Sequence, residues 1–326
     1  MPRVSVVSGY YNRGHLLKRT VDSIAAQTYR DFELIIFDDS STDDTAERLA
    51  DIARDFGPGN FKAIVHESNK GFVQGLIEAI DGSSGEYIAI QGSGDVSLPS
   101  RLSRQVQFLD AHPEVAVVGS WYYNVSEDIG ARRLRRPDAG GVDYDSLLSG
   151  NIFSHGEVMI RRSYYERAGG YRPQFKFSQD YDLWLRLSRF AEFGTVEEAV
   201  YERYVQFDGV SYHPRKVIVQ ACYSVAARKM SAMADADERD ALALLSREGP
   251  TAVVAVSDAE VQHKVRMAAA RSLLFGSASN AAEIVRTGIV RPIERVTMLT
   301  VIKVFSFRLM RPVRTVVARA VGIDRS

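Results

Sequence analysis

Two adjacent carboxylates, Asp38 and Asp39, end the apolar run Phe32-Glu33-Leu34-Ile35-Ile36-Phe37 and lead into Ser40-Ser41-Thr42-Asp43. A buried strand that stops in paired acids faces whatever binds beyond the edge of an open α/β sheet, although the same acids would also serve as caps for the next helix. Further along, Lys70-Gly71 opens a glycine-containing turn before a segment of helical period. Backbone N–H groups at such a helix start favour anions, and the lysine either adds charge there or stands in solvent. Asp180 opens a second such segment, Gln179-Asp180-Tyr181-Asp182-Leu183-Trp184. Taken alone it reads as an ordinary helix-start acid held low by the dipole. Asp182 points elsewhere on the helix and reads as structural. Trp184 offers a face on which a sugar could stack, or fills the core between its leucines.

Short apolar runs rich in β-branched residues at 4–7, 34–37, 61–65, 87–90 and 115–118 alternate with helical periods at 16–26, 42–56, 72–80 and 101–109. That alternation predicts a mostly parallel sheet wrapped by helices. Ser100 is the expected N-cap of the fourth helix, and Gly57-Pro58-Gly59-Asn60 the stop after the second. No Gly-x-Gly-x-x-Gly follows the first strand, which argues against a dinucleotide-binding enzyme. A single cysteine, Cys222, excludes an intrachain disulfide and any cysteine-based metal cluster, and agrees with a reducing compartment.

Three stretches taken together, Val4-Ser5-Val6-Val7-Ser8-Gly9-Tyr10-Tyr11-Asn12-Arg13, then Ser23 to Phe32 with its Gln27-Thr28, then the Asp38-Asp39 strand end, closely resemble the inverting family-2 glycosyltransferases of the GT-A fold. The acceptor half of that family is matched by Ser154-His155-Gly156-Glu157 with Ala168-Gly169-Gly170-Tyr171, and by Gln179-Asp180-Tyr181-Asp182, so the resemblance runs from residue 4 to about 207. It implies transfer of a sugar from a nucleotide donor, expected to be UDP or dTDP, to a hydroxyl of a glycan or lipid-linked acceptor in surface polysaccharide synthesis. Gly9, Tyr11 and Asp39 would hold the base, Lys70 and Gly71 the diphosphate, and Asp180 would be the catalytic base. His155 would border the acceptor, with Trp184 a second acceptor-side candidate. The family's usual Asp-x-Asp-Asp is reduced here to Gly92-Ser93-Gly94-Asp95, which leaves Asp95 as the expected ligand for Mg²⁺ or Mn²⁺ and makes arginines or Lys70 the alternative means of neutralising the diphosphate. A catalytically silent nucleotide-binding regulator and a nucleotidyltransferase are the alternative functions.

The expected organisation is a GT-A-like α/β catalytic domain over 1–212 and an all-helical C-terminal extension over 213–326. The 41 basic and 41 acidic residues cancel, so no overall field points to nucleic acid. The charge is nevertheless uneven, since residues 286–326 hold nine basic and two acidic side chains. Residues 296–310 are apolar on most sides but interrupted by Lys303 and Arg308, shorter than the ~18 apolar residues of a membrane span. Basic and apolar together suit an interfacial helix on anionic lipid, and packing against the protein is the alternative. With no apolar leader expected at the start, the expected location is cytoplasmic, at the inner face of the membrane.

Overall fold

The computed structural model describes residues 1–56, 60–127, 130–204, 213–275 and 277–306. They fall into two compact units, one within Met1–Tyr204 and one beyond it. The first unit is built on a mixed sheet whose opening strands β1 (Val4–Tyr10), β2 (Phe32–Asp38), β3 (Phe61–Val65) and β4 (Tyr87–Ile90) run parallel in the order β3-β2-β1-β4. Nearly every residue of β1 and β2 is buried, as strands covered on both faces require. The helices are α1 (Leu17–Ala25), α2 (Thr45–Phe56), α3 (Phe72–Asp81) and α4 (Arg101–Ala111), all at the expected places; α1 is preceded by a single 3-10 turn at Gly14–Leu16. The stop expected at 57–60 falls mostly outside the described residues.

Beyond β4 come the short β5 (Val96–Ser97), the long β6 (Val115–Ser126), β7 (Ala131–Arg135), α5 (Tyr144–Leu148), β8 (Met159–Arg161), α6 (Arg162–Arg167), α7 (Gln179–Leu187) and β9 (Glu192–Tyr204). Strand β8 joins β4 and β6 antiparallel, β9 lies parallel to β6, and β5 closes antiparallel on β9. The second unit is helical, from α8 (Pro214–Ser231), α9 (Asp235–Glu248), α10 (Pro250–Val253) and α11 (Ala259–Phe275) to α12 (Ala278–Gly288) and α13 (Pro292–Ser306). Its core includes Cys222, Val225, Val261, Val265, Ile284 and Val285.

Ser100 does not cap α4: its hydroxyl turns to Glu198, 3.3 Å away. The work is done by the fully buried Gln27 just past α1, whose Oε1 accepts the Leu102 N–H at 3.0 Å while its Nε2 donates to the carbonyls of Ser23, Ser97 and Leu98. Thr28 adds N–H and hydroxyl bonds to the Pro99 carbonyl at 2.9 and 3.0 Å. The Gln-Thr pair is thus a clamp between α1 and the β5–α4 turn.

Arg101, fully buried, follows that turn. Its five N–H donors meet five neutral acceptors: Gln105 Oε1, Gln91 Oε1, Ser97 Oγ and the carbonyls of Ile90 and Val158. A guanidinium offers five donors in a fixed fork, so this set saturates it. Arg101→Met should cost about 3 kcal/mol or more, since it takes away at once five donors that buried acceptors were matched to. Urea denaturation of the full chain measures this, and a loss below about 1 kcal/mol would show that the network rearranges freely.

Candidate active site

The ends of β1 and β2 and the start of α3 converge because three side chains cross-link them. Asp38, buried, accepts from the Ser41 N–H at 3.2 Å and from the Ser41 hydroxyl, which folds the turn after β2. Asn12, at φ 52, accepts the Thr42 N–H at 2.7 Å and donates its own N–H to Ser41 Oγ, so the turns after β1 and β2 move as one. Asp39, also buried, accepts the Lys70 N–H (2.8 Å) on Oδ1 and the Gly71 N–H (2.9 Å) on Oδ2, with His66 Nδ1 3.1 Å from Oδ1. One lone pair of Oδ2 is left over. Gly71, at φ 87, supplies the backbone that lets α3 begin there.

Glycine also sets how near α3 can come. A Cβ on Gly9 or on Gly75 would fall inside the Phe37 ring, so Phe37 lies between β1 and α3 with His66 stacked on it at 5.8 Å and Phe72 tilted against it at 6.0 Å. Gly9 therefore contributes by packing. Tyr11 is half exposed at the end of β1, its ring open to a flat ligand. The Lys70 ammonium is paired with Glu78 at 2.7 Å, and that bond, with one from Gln74, pulls the Glu78 carboxyl below its usual range. His66, at the end of β3, was not singled out in the sequence; its place at a third strand end of the same sheet edge was the available signal.

The turn after β4 differs from the expected metal site. Asp95 is turned inward: Tyr201 donates its hydroxyl to Oδ2 at 2.7 Å and the Tyr204 N–H meets Oδ1 at 2.8 Å. Burial pushes its carboxyl above the ordinary range, opposed by those two bonds and by the charges of Arg203 and Arg13. A Cβ on Gly92 would fall on Asp95 Oδ2, and one on Gly94, at φ 87, would press Leu16 at 2.8 Å. The two glycines are there because the turn packs on its own aspartate and on α1. Among the described residues no group of three His, Cys, Asp or Glu side chains could hold a cation. The turn therefore offers one carboxylate, already engaged on both oxygens, in place of a cluster of acids.

On the acceptor side, Ser178 adopts φ 58 and turns the chain into α7. Asp180 is half-buried and accepts from Asn151 Nδ2 at 2.7 Å. His155 stands nearby, with Nε2 2.8 Å from the Tyr171 hydroxyl and Nδ1 3.4 Å from the Gln179 amide. Desolvation lowers the imidazole pKa while the charge of Asp180 works against it, so the ring is neutral at neutral pH. Its edge meets Phe72 of α3 at 6.1 Å, which joins the acceptor side to the β1–β2 side. Asp182 is buried against Arg186 (2.7 Å) and Arg172 (3.3 Å). Trp184 corrects the expectation placed on it: it is fully buried, edge-on to Phe153 and Phe193, and presents no face to a sugar.

Beneath both sides lies Glu157, fully buried, its Oε2 taking the Ser120 N–H at 2.6 Å and hydroxyl at 3.1 Å while Oε1 has no partner. Burial pushes its carboxyl up to about 8, against the Ser120 bonds and the charge of Arg101.

The sequence model of Glycosyl transferase family 2 matches residues 5–170, just over half the chain. Putative glycosyltransferase EpsE of Bacillus subtilis (strain 168) is 35% identical over 208 residues, 62% of this chain and 72% of that protein. An uncharacterized glycosyltransferase of Methanocaldococcus jannaschii is 27% identical over 203 residues, 60% and 69% of the two. The fold is shared with the mannosyltransferase PcManGT from Pyrobaculum calidifontis, solved with GDP-Man and Mn²⁺, at TM-score 0.57 and 20% identity, over 92% of this chain and 84% of that one. It is shared too with S. aureus TarS 1-349 in complex with UDP, at TM-score 0.56 and 17% identity, over 99% and 92%.

A carboxyl that holds its proton more tightly folded than unfolded contributes stability that is complete below the unfolded pKa of about 4.3 and is lost as pH rises through the folded value. For Glu157 that window closes at about 8. The chain should therefore lose stability between pH 5 and pH 8, and Glu157→Gln should flatten that slope. Denaturant titrations across the range check it; an unchanged slope would mean that Glu157 does not titrate there.

Proposed function

Because the chain belongs to glycosyl transferase family 2, an inverting family of glycosyltransferases, we propose that it transfers a sugar from UDP or dTDP to a hydroxyl of a glycan or lipid-linked acceptor, with Asp180 as the base. The observation that carries this reading is the link from Asp180, beside His155, through Phe72 to the start of α3 and the β2 end, because it brings a carboxylate to the same cleft edge as the nucleotide-side groups. The base would lie on Tyr11 and offer a ring N–H to the remaining lone pair of Asp39 Oδ2. A donor without that N–H would leave a polar group unmatched, and this is how such sites discriminate.

The acceptor O–H gives its proton to Asp180 as its oxygen attacks the anomeric carbon. The new C–O bond forms while the bond to the diphosphate oxygen breaks, and the nucleoside diphosphate leaves with that electron pair. A single displacement inverts the anomeric centre and needs no enzyme nucleophile, unlike a retaining hydrolase. The Asn151 amide donates to Asp180 and orients its carboxylate. Surface polysaccharide synthesis is the proposed setting, as the family resemblance implies.

Among the described residues no helix is long and apolar enough to cross a membrane. Helix α13 nonetheless exposes Ile293, Val296, Val301 and Val304 while Ile302 is buried, which supports the interfacial reading of the tail. Residues 307–310 of that segment, and the basic residues after them, lie outside the described residues.

Asp180→Asn should lower turnover by about 10²-fold or more while nucleotide affinity stays near that of the parent. Transfer assays paired with calorimetric UDP titration read both, and parental turnover would remove Asp180 from the role. For the tail, the full chain should float with anionic liposomes at low salt and a chain ending near Arg286 should not; equal flotation would make α13 a packing element.

A further inference from the structure

The turn where a cation would meet a leaving diphosphate holds one carboxylate, Asp95, and the charges of two arginines, Arg13 and Arg203, act on it. Arg13, in the loop after β1, donates Nη1 to Ser93 Oγ at 3.1 Å, which seats it over Gly92-Ser93-Gly94-Asp95. Arg203 arrives from β9. Strands β5 and β9 pair antiparallel with Val96 opposite Glu202, so the residue before Val96, Asp95, stands level with Arg203. The neighbouring Tyr204 N–H binds Asp95 Oδ1. By the alternation of a strand, Arg203 shares its face with Tyr201, whose hydroxyl reaches Asp95 and Gly92, and not with Glu202.

Neither arginine is paired with an acid among the described residues, in contrast to the arginines around them. Arg19 is bound to Glu127 and Arg132 to Glu202, while Arg101 is saturated by neutral acceptors. Arg13 spends one of its five donors on Ser93, and the Arg203 side chain makes no hydrogen bond among the described residues. Two half-buried positive charges with unspent N–H groups beside a turn stripped to glycines suit a dianionic group, since guanidinium forks pair phosphate oxygens bidentately.

We propose that Arg13 and Arg203 bind the diphosphate of the nucleotide sugar and stabilise it as it leaves, in the place where relatives of this fold would use a divalent cation. The proposal rests on the nucleotide-sugar reading above. The fixed charges are aimed where negative charge grows as the glycosidic bond breaks, and they need no reorganisation at that moment.

Binding of UDP, and of GDP in parallel, to the full chain in excess EDTA tests this, with uridine and guanosine titrated alongside. One of the diphosphates should bind in EDTA within about threefold of its affinity in Mn²⁺. Arg13→Gln and Arg203→Gln should each weaken that diphosphate by roughly tenfold or more, the scale of a lost charge-assisted hydrogen bond, and leave the nucleoside unchanged. The lysine variants should recover part of the loss. A Gln variant that merely unfolds would lose nucleoside and diphosphate together, and the lysine variant at that position then decides. Diphosphate binding that requires Mn²⁺, or Gln variants that hold it as the parent does, would overturn the arginine proposal and leave the nucleotide reading standing. Failure of both nucleotides to bind with or without Mn²⁺ would overturn that reading and this proposal together.

Discussion

The buried guanidinium of Arg101 is the constraint on which the catalytic unit depends. A charge of that size taken out of water costs several kcal/mol unless every donor is met, and here all five are, by groups from the β4 end, the turn before β5, α4 itself and the start of β8. Satisfying one residue therefore fixes where four pieces of chain meet. Its flat face lies 4.8 Å from the ring of Tyr201, and the Tyr201 hydroxyl carries the constraint onward to Asp95 and to the Gly92 N–H. The shape of the turn that faces the substrate is thus set from beneath, by a group no substrate touches.

The nucleotide side is governed by a second economy, that of close approach. Phe37 needs glycine on both sides, Gly9 in the strand and Gly75 in the helix, and only with both can α3 sit near enough for its first N–H groups to reach Asp39. Asp39 thus anchors the chain that leads into the helix with most of its lone pairs. Three residues other than glycine, Asn12, Ser40 and Ser178, hold positive φ, and all three lie in the turns that border the cleft. Such conformations cost of order 1 kcal/mol each and persist where surrounding bonds over-determine them, as Asn12 and its bonds to Ser41 and Thr42 illustrate.

Electrostatically, the catalytic unit separates its charges by depth. Glu157 and Asp95 are both buried, and burial pushes both carboxyls above their ordinary range. Asp180, by contrast, is only half-buried, and it accepts a bond from the Asn151 amide.

Alternating apolar runs and helical periods were enough to declare the parallel sheet, the four helices around its first half and the acidic strand end, because burial of a face imprints itself on a single chain with a fixed period. The site candidates Asp39, Lys70, Gly71, His155 and Asp180 came from the resemblance of short runs to a family, not from that periodicity. Partner choice leaves no such imprint. That Asp39 is held by N–H groups at 70 and 71 and by His66, that Gln27 caps a helix 75 residues away, and that Trp184 is enclosed by Phe153 and Phe193 depend on strand order and register. The glycines of the β4 turn looked like missing ligands in the chain; folded, they are the space occupied by the Asp95 carboxylate and by Leu16. Arg13 and Arg203, 190 positions apart in sequence, come to one turn only because β9 returns to pair with β5. A sequence states which groups need partners, and tertiary structure decides which partners they find, because hydrogen bonds and ion pairs are made over a few ångströms of space without regard to distance along the chain.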